Sequence, residues 1–147
     1  MTLLDTHVII HYLKGDPQIV GHIQRASPGD LAIPAIVLYE LEYGTLRSKF
    51  PARRRRDLEE GLAHIQHIPF DSEAAMAAAR IRVELEKQGS TIGPLDLLIA
   101  GTALSRGAAL VTNNAAEFAR VPGLRVIDWK ATLTEPLPSR DRAVTEP

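Results

Sequence analysis

The chain of 147 residues contains no cysteine, few aromatic residues and no long apolar run. Without cysteine there is no disulfide, no cysteine-based zinc site and no thiol nucleophile, which is typical of a protein in a reducing compartment. No apolar run approaches the roughly 20 residues that cross a membrane. The first residues also lack the basic segment of a signal peptide. We therefore expect a cytoplasmic protein that does not insert into a membrane.

An excess of charge of one sign is also absent, because 17 Lys+Arg stand against 18 Asp+Glu, a net charge of −1. Nucleic-acid binding, if present, must therefore be local. The only dense basic segment contains five arginines, namely Arg47, Arg53, Arg54, Arg55 and Arg56. Such a run is usually a solvated helix face, and the acids that follow it favour that interpretation. It is nevertheless the densest surface for RNA phosphates that the chain offers.

Short apolar segments alternate with helical patterns along most of the chain. Strands are predicted at 3–4, 31–33, 68–70, 109–111 and 124–127, with the third at an edge because of Pro69. In the long helix predicted at 71–89, Met76, Ala79 and Val83 mark an apolar stripe. This alternation predicts an α/β domain, a parallel sheet between layers of helices, over residues 1–132. Residues 133–147, rich in proline and charge, are predicted to form a disordered tail.

Two polar segments follow predicted buried strands. Asp5 comes directly after the first strand, and Thr112 to Asn114 follow the strand at 109–111. Open parallel sheets bind ligands outside the carboxyl ends of their strands, so both segments are expected at the active edge. Pro94 begins a helix, which puts Asp96 in its first turn. Each acid alone could be a helix cap or a partner of the helix dipole, but those interpretations do not explain a shared edge.

Two further acids are selected by helical spacing. Glu40 and Glu42 lie two residues apart, about 200° around a helix, so only one can face inward, and Glu40 is favoured. Asn114 and Glu117 lie three residues apart and point the same way if a helical turn forms there.

A set of carboxylates without cysteine ligands indicates chemistry with hard cations. Oxygen ligands suit Mg²⁺ or Mn²⁺, and such ions activate water and stabilise the leaving oxygen in phosphodiester hydrolysis. His7 and His11 are spaced like helical zinc ligands, but the HExxH pattern is missing and a packed or surface role is favoured. Phosphodiester hydrolysis is therefore the predicted reaction class.

Four segments, in order along the chain, carry a resemblance to a known family. They are Leu3-Leu4-Asp5-Thr6, Glu40-Leu41-Glu42-Tyr43-Gly44, Gly93-Pro94-Leu95-Asp96 and Val111-Thr112-Asn113-Asn114 with Glu117. Together they resemble PIN-domain ribonuclease toxins of the VapC type. The resemblance implies a PIN-like three-layer α/β/α sandwich and a Mg²⁺-dependent endoribonuclease, with Mn²⁺ as a substitute ion. It also implies an RNA substrate such as tRNA or rRNA, a homodimer, and a VapB-like antitoxin that forms a hetero-oligomer with the toxin.

By that resemblance Asp5 and Asp96 are the main metal ligands, and Glu40 is the third catalytic acid. The fourth catalytic position is assigned to Glu117, with Asn114 standing where many relatives have an acid. Thr6, Thr112 and Asn114 are supporting residues that hydrogen-bond the acids or the phosphate. The antitoxin is expected on the apolar helix surface formed by Ile36, Val37, Leu38, Tyr39, Leu58 and Leu62.

Two alternative functions are considered. A PIN-like module with Asn114 in place of an acid could lack metal and act as a binding or scaffold protein. A receiver domain or an aspartyl-phosphate phosphatase uses a similar sheet, but it needs paired acids after the first strand or an Asp-x-Asp nucleophile. The segment Asp5-Thr6-His7 supplies neither.

Overall fold

A five-stranded parallel sheet flanked by helices forms the centre of the protein, as a computed structural model describes it for residues 1–27 and 29–130. The strands are β1 (Thr2–Leu4), β2 (Leu31–Pro34), β3 (Gln66–Ile68), β4 (Ala109–Val111) and β5 (Val126–Ile127). The helices in this part of the chain are α1 (Thr6–Leu13), α2 (Pro17–Arg25), α3 (Ala35–Arg47), α4 (Pro51–Gly61), α5 (Ser72–Gln88), α6 (Pro94–Ser105) and α7 (Ala115–Phe118). The predicted α/β class is confirmed. The predicted tail, 133–147, lies outside the described residues.

The strand order β3-β2-β1-β4-β5 puts the first strand at the centre of the sheet. From β1 the chain builds outward in one direction through β2 and β3, and later in the other direction through β4 and β5. The point where the strand order reverses therefore lies between β1 and β4, and this is where open sheets of this type bind ligands. Leu4 pairs with Val111 in the parallel register, so the next residues, Asp5 and Thr112, lie side by side at the carboxyl ends.

Apart from Thr2, the two central strands consist of buried apolar residues. Leu3, Leu4, Leu110 and Val111 have no exposed surface, as expected for strands covered on both faces. The polar residues that follow these strands are thus attached to a closely packed part of the core.

Capping residues set the ends of α2 and α5, and the ends of α5 agree with the helix predicted at 71–89. Asp16 Oδ1 accepts the N–H of Gln18 at 3.0 Å, with Pro17 in the first turn. Asp71 Oδ1 accepts the N–H of Ala74 at 3.0 Å, and α5 ends at Gly89, whose φ of 69° is left-handed.

The prediction for the third strand is wrong by two residues. β3 spans Gln66–Ile68, and Pro34 of β2 pairs with its last residue, Ile68. Pro69 comes just after the strand, so β3 is an edge strand, as predicted, but the proline is not within it. The misplacement arose because Gln66 and His67 are exposed and polar, although their backbone pairs with β2.

The predicted apolar stripe of α5 is also wrong. Met76 and Val83 are 59% and 52% exposed, whereas the helix buries a face that includes Ala78, Ile81 and Leu85. Alanines occur on both sides of this helix, so its sequence pattern does not define one face sharply.

A glycine in the neighbouring helix determines which face of α5 is buried. A Cβ atom on Gly101 of α6 would lie 2.7 Å from the carbonyl oxygen of Ala74 and 2.7 Å from Cβ of Ala78. The backbones of α5 and α6 therefore approach so closely that only small residues fit, and this contact selects the alanine face.

The last described residues are attached to α2. The Trp129 ring stacks on the His22 ring with centroids 4.6 Å apart, and Lys130 Nζ lies 3.1 Å from Asp16 Oδ2. Within the residues that the structure describes, no helix has the length and apolar character needed to cross a membrane.

Candidate active site

Asp5 is held in place by three hydrogen bonds at the carboxyl end of β1. Its Oδ1 accepts the N–H of Thr6 at 2.8 Å, and its Oδ2 accepts the hydroxyl of Thr112 at 2.6 Å. Its own N–H donates to the carbonyl oxygen of Val111 at 3.0 Å. Asp5 is only 7% exposed. It caps α1 and also presents a fixed carboxylate at the switch point.

Thr112 links the end of β4 to this site. Its hydroxyl donates to Asp5 and accepts the N–H of Asn114 at 2.9 Å. Because both bonds use the same hydroxyl oxygen, the turn after β4 is fixed relative to Asp5.

Glu40 reaches the same edge from α3. Its Oε1 accepts the hydroxyl of Thr6 at 2.5 Å, which brings it next to Asp5. Glu42 faces away and binds Arg55 through two hydrogen bonds of 2.7 Å and 2.8 Å. Of the two acids, Glu40 faces the site, as the helical spacing predicts.

Asp96 and Glu117 form a second pair of acids. Asp96 lies in the first turn of α6, and Glu117 lies in the short helix α7. Glu117 Oε2 accepts the N–H of Gly93 at 2.9 Å, and its other oxygen accepts the side-chain amide of Asn114. A helical turn thus forms after β4, and through it Asn114 orients Glu117.

Four acids affect one another at this edge. Burial raises the pKa of Asp96 most, and contact with the Glu117 carboxyl and the charges of Glu117, Asp5 and Glu40 add to it, giving a pKa of about 7. Near neutral pH, Asp96 is therefore partly protonated when no cation is present. Such mutual repulsion is what a bound cation relieves.

The pKa of Glu117 moves in the opposite direction. Burial acts to raise it, but the N–H of Gly93, the contact with Asp96, the Asn114 amide and the charge of Arg120 outweigh burial and lower it. When the pair holds one proton, the proton therefore lies on Asp96 and Glu117 stays ionised.

The carboxylates at this edge are oxygen ligands of the kind that Mg²⁺ prefers, but they do not surround an ion completely. In the described part of the chain, no three His, Cys, Asp or Glu side chains lie close enough to hold a metal ion by themselves. Mg²⁺, however, usually keeps several water ligands and takes only one or two carboxylates from a protein. Asp5 and Asp96, which the family resemblance singled out, lie near enough to each other for the charge of Asp5 to help raise the pKa of Asp96.

The sequence matches the PIN domain family over residues 2–124. The chain belongs to this family. It is 40% identical to the tRNA(fMet)-specific endonuclease VapC of Shigella flexneri over 127 residues, covering 86% of this chain and 96% of the relative. It is 34% identical, with the same coverage, to Ribonuclease VapC2 of Haemophilus influenzae.

Solved structures of VapC-type complexes share the fold. VapBC2 from Rickettsia felis, bound to a promoter DNA fragment, aligns with a TM-score of 0.82 and 33% identity over 87% of this chain and 98% of the other. DNA-bound VapBC from Salmonella typhimurium aligns with a TM-score of 0.82 and 37% identity over 87% and 97%. The chain is thus a VapC-type PIN domain.

The five arginines proposed for RNA binding have different surroundings in this PIN domain. Arg55 is bound to Glu42, whereas Arg54 lines a cavity beside Glu40. Arg47 lies over the Tyr43 ring, 5.3 Å from its centroid. Arg53 and Arg56 are exposed on α4.

The surface expected for an antitoxin needs one correction. Val37 is fully buried and belongs to the core of the domain, so it cannot line a groove. Leu38, Leu58 and Leu62 do line a cavity of about 570 Å³ between α3 and α4. Tyr39 is 59% exposed and does not line that cavity.

Two contributors to the site were not identified from sequence. The N–H of Gly93 holds Glu117, and the Arg120 guanidinium donates to the carbonyl oxygen of Thr91 at 2.9 Å, which ties α7 to the loop before α6. Gly93 acts through its backbone, so its residue type carries no signal of this role. Arg120 lies three residues after Glu117, and that spacing is the only hint in the sequence.

Proposed function

We propose that this chain is a Mg²⁺-dependent endoribonuclease toxin that works in the cytoplasm and is inhibited by an antitoxin. The observation that carries the proposal is the group of four interacting carboxylates at the switch point, Asp5, Glu40, Asp96 and Glu117. The 40% identity to an endonuclease of the same family supports the reaction class.

In this proposal Asp5 and Asp96 hold the cation, with Mn²⁺ able to replace Mg²⁺. When bound, the ion supplies Lewis acidity for a water nucleophile and for the leaving oxygen of a phosphodiester. Thr112 keeps Asp5 oriented, and Thr6 does the same for Glu40. Glu117 stays ionised because the N–H of Gly93 stabilises its negative charge.

The substrate proposed is a tRNA. Two relatives, at 40% and 37% identity, are named tRNA(fMet)-specific endonucleases, and this chain covers 96% of each. The alternative of a metal-free scaffold is not favoured, because Glu117 interacts with Asp96 and supplies a further carboxylate at this edge of the sheet.

Cleavage of purified tRNA tests the reaction. With Mg²⁺ present, the purified chain should cut tRNA at a defined position, cleavage should stop in excess EDTA, and it should resume when Mg²⁺ is restored. Undiminished cleavage in EDTA would rule out the metal mechanism, provided that Asp96→Asn purified in the same way is inactive, which excludes a contaminating nuclease.

An antitoxin is the proposed partner, since the structural relatives are VapBC complexes. The cavity lined by Leu38, Leu58 and Leu62 offers an apolar groove for its chain. A basic side chain of the antitoxin would inhibit by neutralising the carboxylates. Expression of the chain alone should stop growth and co-expression of its antitoxin should restore it; unimpaired growth with soluble, RNA-cleaving protein would contradict a toxin.

A homodimer is also proposed. Tyr39, Tyr43, Leu46 and Phe50 are 55% to 67% exposed and follow one another at helical spacing along and just beyond α3. Contiguous exposed apolar residues of this kind mark protein interfaces.

A further inference from the structure

A small cavity adjoins Glu40, one of the four carboxylates of the candidate site. It lies between α1, α3 and α4 and has a volume of about 210 Å³. Glu40 forms part of its wall, and Glu40 Oε1 accepts the hydroxyl of Thr6, the residue that follows Asp5. A group in this cavity would therefore lie next to a phosphate held at the acids.

The cavity combines an apolar lining with polar groups. Ile10, Leu13, Leu41 and Leu58 supply the apolar surface. Arg54 and Asp57, three residues apart on α4, also line it, so their side chains emerge from the same side of that helix.

The side chains of Arg54 and Asp57 are free to bind a ligand. In the described residues neither has a side-chain hydrogen bond or an ion pair, in contrast to Arg55, which Glu42 binds at 2.7 Å. An unpaired donor and an unpaired acceptor thus lie side by side at an apolar cavity.

The charges around the cavity balance. Lys14 and Arg54 are positive, while Glu40 and Asp57 are negative, and all four belong to the lining. A lining without net charge does not favour a phosphate or a lone basic side chain. It favours a neutral, flat molecule that has donors and acceptors on its edge.

We infer that this cavity binds one unpaired nucleobase next to the cleaved phosphate, with Arg54 and Asp57 reading its edge. This inference rests on the proposed nuclease function. A volume of about 210 Å³ is below the roughly 300–1,000 Å³ of pockets for drug-sized ligands and suits one heterocycle. Proteins read single-stranded RNA in this way, by apolar contact with a base and hydrogen bonds to its edge.

Binding of short RNA to the cleavage-deficient variant Asp96→Asn tests the inference separately from catalysis. The probes are fluorescent 2′-O-methyl hexanucleotides covering the cleavage sequence of the tRNA, or random sequence if none is found, with each position made abasic in turn. One abasic position should weaken binding about tenfold, and a different base at that position should weaken binding by a similar factor. Arg54→Met and Asp57→Asn, added to Asp96→Asn, should remove that difference, while the exposed control Arg80→Met should keep it.

The outcomes separate the two proposals. If binding depends on the base, if Arg54→Met abolishes that dependence, and if the wild type does not cleave RNA, the results would support the pocket and contradict the nuclease. Cleavage by wild type with no abasic position costing more than twofold would overturn the pocket alone. Unchanged base discrimination in Arg54→Met and Asp57→Asn would also overturn the pocket. The same holds if these two substitutions weaken inhibition by the antitoxin and leave RNA binding unchanged.

Discussion

At the scale of single residues, Asp5 combines structural and functional roles. It caps α1 and receives the Thr112 hydroxyl, so both carboxylate oxygens are already occupied by donors in the folded chain. Donors of this kind fix the orientation of a carboxylate. The interpretation of Asp5 as a helix cap and its interpretation as a site residue therefore describe the same geometry.

The raised pKa of Asp96 predicts a pH-dependent stability difference. Its pKa of about 7 in the fold lies above the value of about 3.9 in an unfolded chain, so the fold binds the proton more tightly. Between about pH 4 and pH 7 the unfolded chain releases this proton while the fold retains it, so the wild type loses stability as the pH rises. In EDTA, Asp96→Asn should therefore be more stable than wild type at pH 8, with the gain shrinking towards pH 4.

Urea denaturation of the two proteins across this pH range measures that difference. Glu84→Gln, an exposed acid on α5, serves as the control and should follow the wild type at every pH. A gain in Asp96→Asn that is the same at pH 5 and pH 8 would contradict the assignment of the proton to Asp96.

The roles of Asn114 and Glu117 can be separated by substitution. Glu117→Gln removes the charge next to Asp96 and should lower RNA cleavage by roughly 100-fold or more, as expected for a group that acts on the reacting centre. Asn114→Ala removes only a hydrogen bond that orients Glu117 and should cost about tenfold. A silent Glu117→Gln beside a strongly impaired Asn114→Ala would show that the two roles are reversed.

At the scale of elements, two helical glycines give a matched pair of variants. A Cβ on Gly101 would lie 2.7 Å from backbone and side-chain atoms of α5, whereas a Cβ on Gly44 of α3 meets nothing within 4 Å. Gly101→Ala should destabilise the fold by about 1–3 kcal/mol through overpacking. Gly44→Ala should stabilise it by about 0.5–1 kcal/mol through helix propensity.

Thermal and urea unfolding of both variants check this prediction. Equal stability of Gly101→Ala and wild type would contradict the close approach of α5 and α6.

Element boundaries could be predicted where the signal is local. The cap formed by Asp16 and the left-handed Gly89 are such signals, and α2 and α5 begin and end accordingly. The position of β3 and the buried face of α5 depend on long-range contacts with Pro34 and Gly101, which local periodicity does not contain. Propensity and pattern are overridden by tertiary packing in both cases.

The same distinction between local signals and long-range contacts applies to the candidate site. The acids of the site could be selected because each follows a strand or occupies a defined helical position. The hydrogen bond from Gly93 to Glu117 joins residues 24 positions apart in the chain. The ion pair that distinguishes Arg55 from Arg54 joins residues 13 positions apart. Neither contact could be predicted from local sequence.

At the scale of the whole molecule, the exposed face formed by Tyr39, Tyr43, Leu46 and Phe50 predicts self-association. If two copies pack through it, Leu46→Lys should convert a dimer into a monomer, because a charge would be buried at the interface. Light scattering after size-exclusion chromatography measures the mass, and Val83→Lys, at an exposed apolar position of α5, is the control. A monomeric wild type, or a dimer unaffected by Leu46→Lys, would contradict this interface.

The proposed function requires the carboxylates at the switch point between β1 and β4 to bind a divalent cation. Titration of the purified chain with Mn²⁺, followed by electron paramagnetic resonance of the free ion, tests it without any assay of activity. We predict saturable binding in the wild type and in Glu42→Gln, whose acid faces away from the site, and binding at least about tenfold weaker in Asp5→Asn and Asp96→Asn. Absence of saturable binding in the wild type, or equal binding in all four proteins, would contradict a cation site at these carboxylates.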